Sequence, residues 1–182
     1  MSIMKQLKEF TIPFVGLKQG KHHFEYQIDN AFFEHFEYED FNDSSVKVDV
    51  IFNKKETLLE LNFKISGFLN INCDITNEAY NQEISNEFNL IVKFGEEFND
   101  EEIDILILPH GEYEINIQQY IYEYIVLSIP TKRIHPGVED GTLDSEILKK
   151  LEELSPKLKE NKEDEEETDP RWNTLKKLLT DK

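Results

Sequence analysis

Between residues 46 and 65 the chain alternates so regularly that only a sheet accommodates it. Val46, Val48, Val50 and Phe52 interleave with Lys47, Asp49, Ile51 and Asn53, and after the polar break Lys54-Lys55-Glu56 the series resumes with Leu59, Leu61, Phe63 and Ile65. Side chains of a strand point alternately to opposite faces, so every second apolar residue builds one buried face, and the short break sets the two runs side by side as an antiparallel pair. The alternation continues past Gly67 through Leu69, Ile71, Cys73 and Ile75. A residue without a Cβ at that point predicts a bulge and a bent strand.

Upstream, residues 8–15 and 22–28 read as two further strands separated by Gly16 and Gln19-Gly20, with Phe24, Tyr26 and Ile28 alternating against polar neighbours, and they are expected to pair as a hairpin. Asp29 or Asn30 is placed to cap a short helix in which Phe32, Phe33 and Phe36 stand on one side, a plug for one face of the sheet. Residues 87–94 form another strand, the acidic loop 95–102 follows, and the apolar run 103–108 leads to the turn Pro109-His110-Gly111. The expectation is an α+β fold: a curved, mostly antiparallel β-sheet or partial barrel of about six or seven strands, with the short helix and a late amphipathic helix packed on it.

That late helix lies in the stretch Asn116 to Pro136. On a helical wheel Leu127, Tyr120, Tyr124, Ile117, Ser128, Ile121 and Ile125 share one arc of roughly 160°, a core-facing surface. Asn116 followed by Gln119 has the form of a capping box and Pro130 forbids continuation, which places the helix over about 117–127. Gln118, Gln119, Tyr122, Glu123 and Val126 fall on the other side. Tyr122 and Val126 therefore need a second surface to cover them, and apolar helices farther along the chain are the candidates. Glu123, at the rim of the buried arc, is placed to order the basic exit Thr131-Lys132-Arg133-Ile134-His135 or to hold a partner's cation.

After Pro136-Gly137 the composition changes: the last 46 residues hold one aromatic and no histidine, and the domain boundary is placed there. A β-rich domain over 1–136 is followed by an acidic, helical extension over 137–182. In the extension, Leu143, Ile147, Leu148, Leu151 and Leu154 predict an amphipathic helix over about 143–154, and the acidic run within 159–168 predicts a solvated linker. Asp169-Pro170 then opens a terminal helix over about 170–179, lined by Trp172, Leu175, Leu178 and Leu179. Such a short helix must dock on its own domain or in another protein's groove, with Trp172 as anchor.

Charge restricts the function classes. Lys and Arg number 20 against 38 Asp and Glu, a net −18. Residues 1–136 carry 11 cations against 24 carboxylates and residues 137–182 carry 9 against 14, so both parts are acidic. Broad electrostatic wrapping of DNA or RNA is excluded, and a basic partner fits better. One cysteine rules out an internal disulfide framework and a cysteine-rich zinc site. With no apolar run long enough to cross a membrane and no signal-like start, a soluble chain kept in the cytoplasm is expected.

No glycine-rich phosphate loop, nucleophile elbow or paired-histidine zinc motif is present, and no cofactor or metal is expected. His22 and His23 are adjacent on a strand and point to opposite faces. A metal or acid–base cluster of His110, Glu123 and His135 is the one enzymatic alternative, and nothing in their spacing brings them together. The candidate partner-binding residues are instead Tyr122, Glu123 and Val126 on the outer side of the helix, Lys132, Arg133 and His135 in its basic exit, and Arg171, Trp172 and Leu175 on the terminal helix.

Taken in order, these pieces resemble the YceD family. The residues that carry the resemblance are Gly67 to Cys73 (GFLNINC) with Asp74, then Asn116, Ile121, Glu123, Leu127 and Pro130, and the match spans roughly residues 10–136. The segments CDITNE and YIYE, the pattern Pro-x-Lys-Arg-x-His-Pro, and Asp169 to Trp172 are similar to a Bacteroidetes-type branch. The resemblance implies a non-enzymatic role in accumulation of large-subunit ribosomal RNA, hence in ribosome assembly. Together with the charge it points to a basic large-subunit ribosomal protein or a pre-ribosomal particle as partner. A direct rRNA contact through Lys132, Arg133, His135 and Arg171 is the alternative. Many relatives carry Cys-x-x-Cys where Cys73 is here followed by Thr76, so a zinc or redox role is unsupported in this chain: one thiolate cannot close a zinc site.

Overall fold

The computed structural model describes residues 7–144 and 146–155. The chain divides into two compact units, Met1–Leu148 and Lys149–Lys182. In the first unit a 3-10 turn, Lys8–Phe10, precedes β1 (Thr11–Ile12), β2 (Gly20–Ile28), α1 (Asn30–Glu34), β3 (Asp43–Lys54), β4 (Leu58–Asn72) and β5 (Ala79–Gly95). Then follow β6 (Asn99–Glu102), β7 (Ile105–Pro109), β8 (Ile115–Asn116), α2 (Gln118–Leu127) and α3 (Pro136–Glu139). The helix expected over 143–154 is α4 (Glu146–Leu154), which crosses the division and leaves Ile147, Leu151 and Leu154 exposed. The linker 159–168 and the terminal helix 170–179, with Arg171, Trp172 and Leu175, lie outside the described residues.

Six strands form one open sheet in the order β2-β3-β4-β5-β7-β6, antiparallel throughout except where β7 runs parallel to β5. The alternating runs pair as expected, with Val50 opposite Phe63 and Phe52 opposite Leu61. Val46, Val48, Val50, Phe52, Leu61 and Phe63 are at most 1% exposed. Each such side chain contributes about 1.5–3 kcal/mol by leaving water, so this face alone fixes the register.

The hairpin expected from residues 8–15 and 22–28 does not form. Thr11 and Ile12 pair with Asn116 and Ile115 in a separate two-stranded sheet, and β2 pairs with β3 from Gly20–Lys54 to Ile28–Val46. The turn between them is instead tied to β3: the Lys54 ammonium donates to the carbonyls of Phe14 at 2.7 Å and Leu17 at 2.9 Å. Alternation reveals which side of a strand is buried but not which neighbour it takes.

Gly67 creates no bulge either. It sits in unbroken register between Val46 and Ile84. Its φ is +152°, and a Cβ there would stand 2.2 Å from the Ser45 carbonyl oxygen and 2.8 Å from the Val46 Cα. Close approach of two backbones is what requires glycine here. Finally, β5 begins at Ala79, well before the expected 87, by pairing along β4 as far as Asn72; in its first half only Tyr80 and Ile84 are buried, too sparse a pattern to announce a strand.

Candidate partner-binding groove

α2 packs over the sheet, turned from the expected orientation. Ile117, Ile121, Tyr124, Ile125 and Ser128 are buried as expected, but Leu127 is 64% exposed and Gln118, expected to face outward, is 4% exposed. On the wheel this is a rotation of about 40°. Two contacts cause it. The Leu7 amide donates to Gln118 Oε1 at 2.7 Å, drawing Gln118 under the N-terminal segment. Phe36, just after α1, stacks on Tyr122 at 4.3 Å and 5°, with Phe33 and Tyr38 beside it. The cover for Tyr122 is thus the aromatic cluster around α1. On the sheet side Tyr124 stacks on Phe88 at 4.5 Å and meets the edge of Phe63. Asn116 Oδ1 accepts from the Gln118 amide at 3.1 Å, whereas Gln119 does not complete the capping box and donates to Glu123 Oε1 at 2.7 Å.

The rotation leaves an open groove of about 900 Å³ between α2, the β6–β7 hairpin and the loop 109–115. Tyr122, Glu123 and Val126 all line it. Its walls also carry Asp100, Glu101, Glu102, Glu112 and Glu114, five carboxylates that sequence reasoning did not assign to a site, and no Lys, Arg or His. Leu127, Ile103 and Phe98 add exposed apolar surface, the last two at 83% and 57%. The signal in the sequence was the acidic run 95–102 abutting Ile103; what it lacked was the topology that folds this run opposite α2. The Tyr120 phenol is pushed up, first by burial and then by the negative charge of Asp100.

The basic exit takes a different part. The Arg133 amide donates to Asp74 Oδ2 at 2.9 Å and its carbonyl accepts from the Asp74 amide at 2.7 Å, while the His135 amide donates to Cys73 Sγ at 3.3 Å. His135 Nδ1 accepts from the Gly137 amide at 2.9 Å and so caps α3, and its ring stands edge-on to Tyr80. The Arg133 guanidinium reaches Asp40 at 3.9 Å. Lys132 is exposed. The exit is therefore a clasp that pins the chain leaving α2 to the end of β4. Burial opposes ionisation of Cys73, but amide donors led by His135 outweigh it and hold the thiol below its ordinary value.

Among the described residues, His110, Glu123 and His135 do not gather within the reach of one metal ion. The grouping that does is His23, Glu25 and Asp49 on the outer face of β2 and β3. There the Lys47 ammonium already stands 2.9 Å from Asp49 and 3.5 Å from Glu25, so the cluster is an ion-pair network. His22 turns to the opposite side and meets the Lys18 carbonyl at 2.8 Å. No described helix is long and apolar enough to cross a membrane.

No curated protein and no solved structure matches the chain. One family does, that described as large ribosomal RNA subunit accumulation protein YceD, over residues 61–179. The match begins in β4, later than the expected residue 10, and continues past residue 136 through most of the extension. It contains the groove walls, α2 and both halves of the clasp, so the segments CDITNE and Pro-x-Lys-Arg-x-His-Pro are two sides of one contact. With about two thirds of its length so matched, the chain belongs to the YceD family of large ribosomal RNA subunit accumulation proteins.

Proposed function

We propose that this protein is a non-enzymatic assembly factor that supports accumulation of large-subunit rRNA in the cytoplasm by engaging a basic ribosomal protein, free or on a pre-ribosomal particle. Family membership supports the ribosomal role. The observation that carries the choice of a protein partner is the location of charge: six carboxylates face one open groove without a cation, while Arg133 and His135 are engaged within the chain. A negative surface speeds capture of a cationic protein and shields that protein from unspecific association with RNA.

Binding of the purified chain to large-subunit ribosomal proteins and to naked large-subunit rRNA, at low and high ionic strength, tests this. The expected result is salt-sensitive binding of basic ribosomal proteins with little affinity for rRNA alone. Tight rRNA binding abolished by charge reversal at Lys132 and Arg133 would establish direct RNA contact instead.

A further inference from the structure

Surface charge alone does not explain why large apolar side chains stand exposed among the carboxylates. Ile103 in the β6–β7 turn, Phe98 before β6 and Leu127 on α2 all line the groove, as does half-buried Tyr120. Apolar surface ringed by charge of one sign marks a contact site for a partner that brings both complementary properties.

We propose that this groove binds a Lys- and Arg-rich amphipathic segment of a protein, whose large apolar side chains lie over Tyr120, Leu127 and Ile103 while its cations meet the rim carboxylates. This rests on the functional reading above and gives it a place and a partner chemistry. The rim is Asp100, Glu101 and Glu102 on β6, Glu112 and Glu114 on the following loop, and Glu123 on α2. All six are exposed, and among the described residues none pairs with a Lys or Arg. Of the other occupants, RNA would bring phosphates against carboxylates and a second copy would bring another −18. The chain's own segment 170–182, with 4 cations against 1 carboxylate beside Trp172 and Leu175, is the rival occupant, and peptide affinity that rises sharply when this segment is deleted would assign the groove to it instead. A cationic segment without apolar residues would leave Ile103 and Leu127 in water.

The test uses the full chain and a fluorescent peptide alternating Lys or Arg with Leu or Phe, beside a peptide of the same charge with Ser in place of the apolar residues. The amphipathic peptide is expected to bind about tenfold or more tightly than the Ser peptide, with affinity falling as salt rises. Leu127→Ser and Ile103→Ser are each expected to weaken it about fivefold or more, and the triple variant Asp100→Asn/Glu101→Gln/Glu102→Gln to weaken it about tenfold and flatten its salt dependence. All these positions are exposed, so folding is retained, and the thermal midpoint checks it. Neutralising three carboxylates outside the groove, Glu39→Gln/Glu56→Gln/Glu83→Gln, is expected to change little. Equal loss in that control, equal binding of the two peptides, displacement of the peptide by an RNA oligomer, or dimerisation that the groove variants abolish would each overturn the proposal.

A second arm separates it from the broader reading. Cells lacking the protein are complemented with the wild-type chain or the groove variants, and large-subunit rRNA is measured. Loss of rRNA without the protein, unrestored by groove variants, supports both. Full restoration by groove variants overturns the groove proposal and leaves the ribosomal role standing. No loss in the absence of the protein overturns the ribosomal role, and the groove is then judged on the peptide measurements.

Discussion

Asp74 and Arg133 hold each other twice, amide to carbonyl at 2.7 Å and amide to carboxylate at 2.9 Å, across a separation of 59 residues. Both bonds use the backbone of Arg133, so the guanidinium is not what the clasp depends on. Asp74→Ala is expected to cost about 1 kcal/mol and to speed hydrogen exchange at the Arg133 amide, whereas Arg133→Ala should cost less than about 0.5 kcal/mol. Urea denaturation with amide exchange by NMR distinguishes them; the reverse ranking would show that the Asp40 contact at 3.9 Å matters more.

Gly67→Ala combines a φ of +152° with a Cβ 2.2 Å from the Ser45 carbonyl oxygen. The expected cost is about 3 kcal/mol or more, because the obstacle is backbone in a central strand and cannot rotate away. At Gly16, where nothing lies within 4 Å of the same atom, alanine is expected to be near neutral. Paired denaturation curves make the comparison.

The rotation of α2 has a direct energetic signature. Ile121→Ala, at a fully buried site, is expected to cost about 2–5 kcal/mol, and Leu127→Ala less than about 0.5 kcal/mol. Thermal denaturation of the two variants decides which face is turned inward, since the helical wheel alone assigns both residues to the core.

Tyr122 and Phe36 stack at 4.3 Å with nearly parallel rings. A double-mutant cycle of Tyr122→Leu and Phe36→Leu is expected to give a coupling of about 0.5–1.5 kcal/mol. A coupling near zero would mean that Tyr122 is not held by the α1 cluster in solution.

Alkaline pH should unfold the protein through its phenols. Burial first, and then nearby carboxylates (Glu9, Asp40 and Asp104 respectively), push Tyr26, Tyr38 and Tyr124 from the ordinary 10.0 up to about 12. The folded state keeps these protons longer than the unfolded one, so the stabilisation is complete below pH 10 and is lost as the pH rises through 12. Unfolding free energy is expected to be flat on approach to pH 10 and to fall above it, with tyrosinate absorbance rising together with loss of structure.

The sheet centre was legible because β3 and β4 each bury a single face of strictly alternating residues, and the α1 cap was legible because Asp29 does locally what its type predicts, accepting from the Ala31 amide. Pairing was not. Nothing local in Thr11-Ile12 points to Ile115-Asn116, and nothing in Gln118 announces that the Leu7 amide will claim its side chain. The same applies to the site: Tyr122, Glu123 and Val126 were identifiable from helical period, but the opposing wall comes from β6, whose position is set by long-range strand order. The basic exit read only as a charged patch because composition records side-chain charge and not the backbone bonds of Arg133 and His135 that fix this stretch to Cys73 and Asp74.

After β5 the chain does not lay down the next strand beside it. It leaves a slot, runs back as β6, and only then returns as β7 to fill the gap, parallel to β5. Until β7 is in place β6 has no sheet neighbour, and afterwards it has one, in irregular register. The acidic wall of the groove is therefore an edge strand with a single, irregularly paired neighbour, whereas the opposing wall, α2, is anchored in the core through Ile117, Ile121 and Ile125. A ligand seated between them would staple this edge strand to the rest of the molecule.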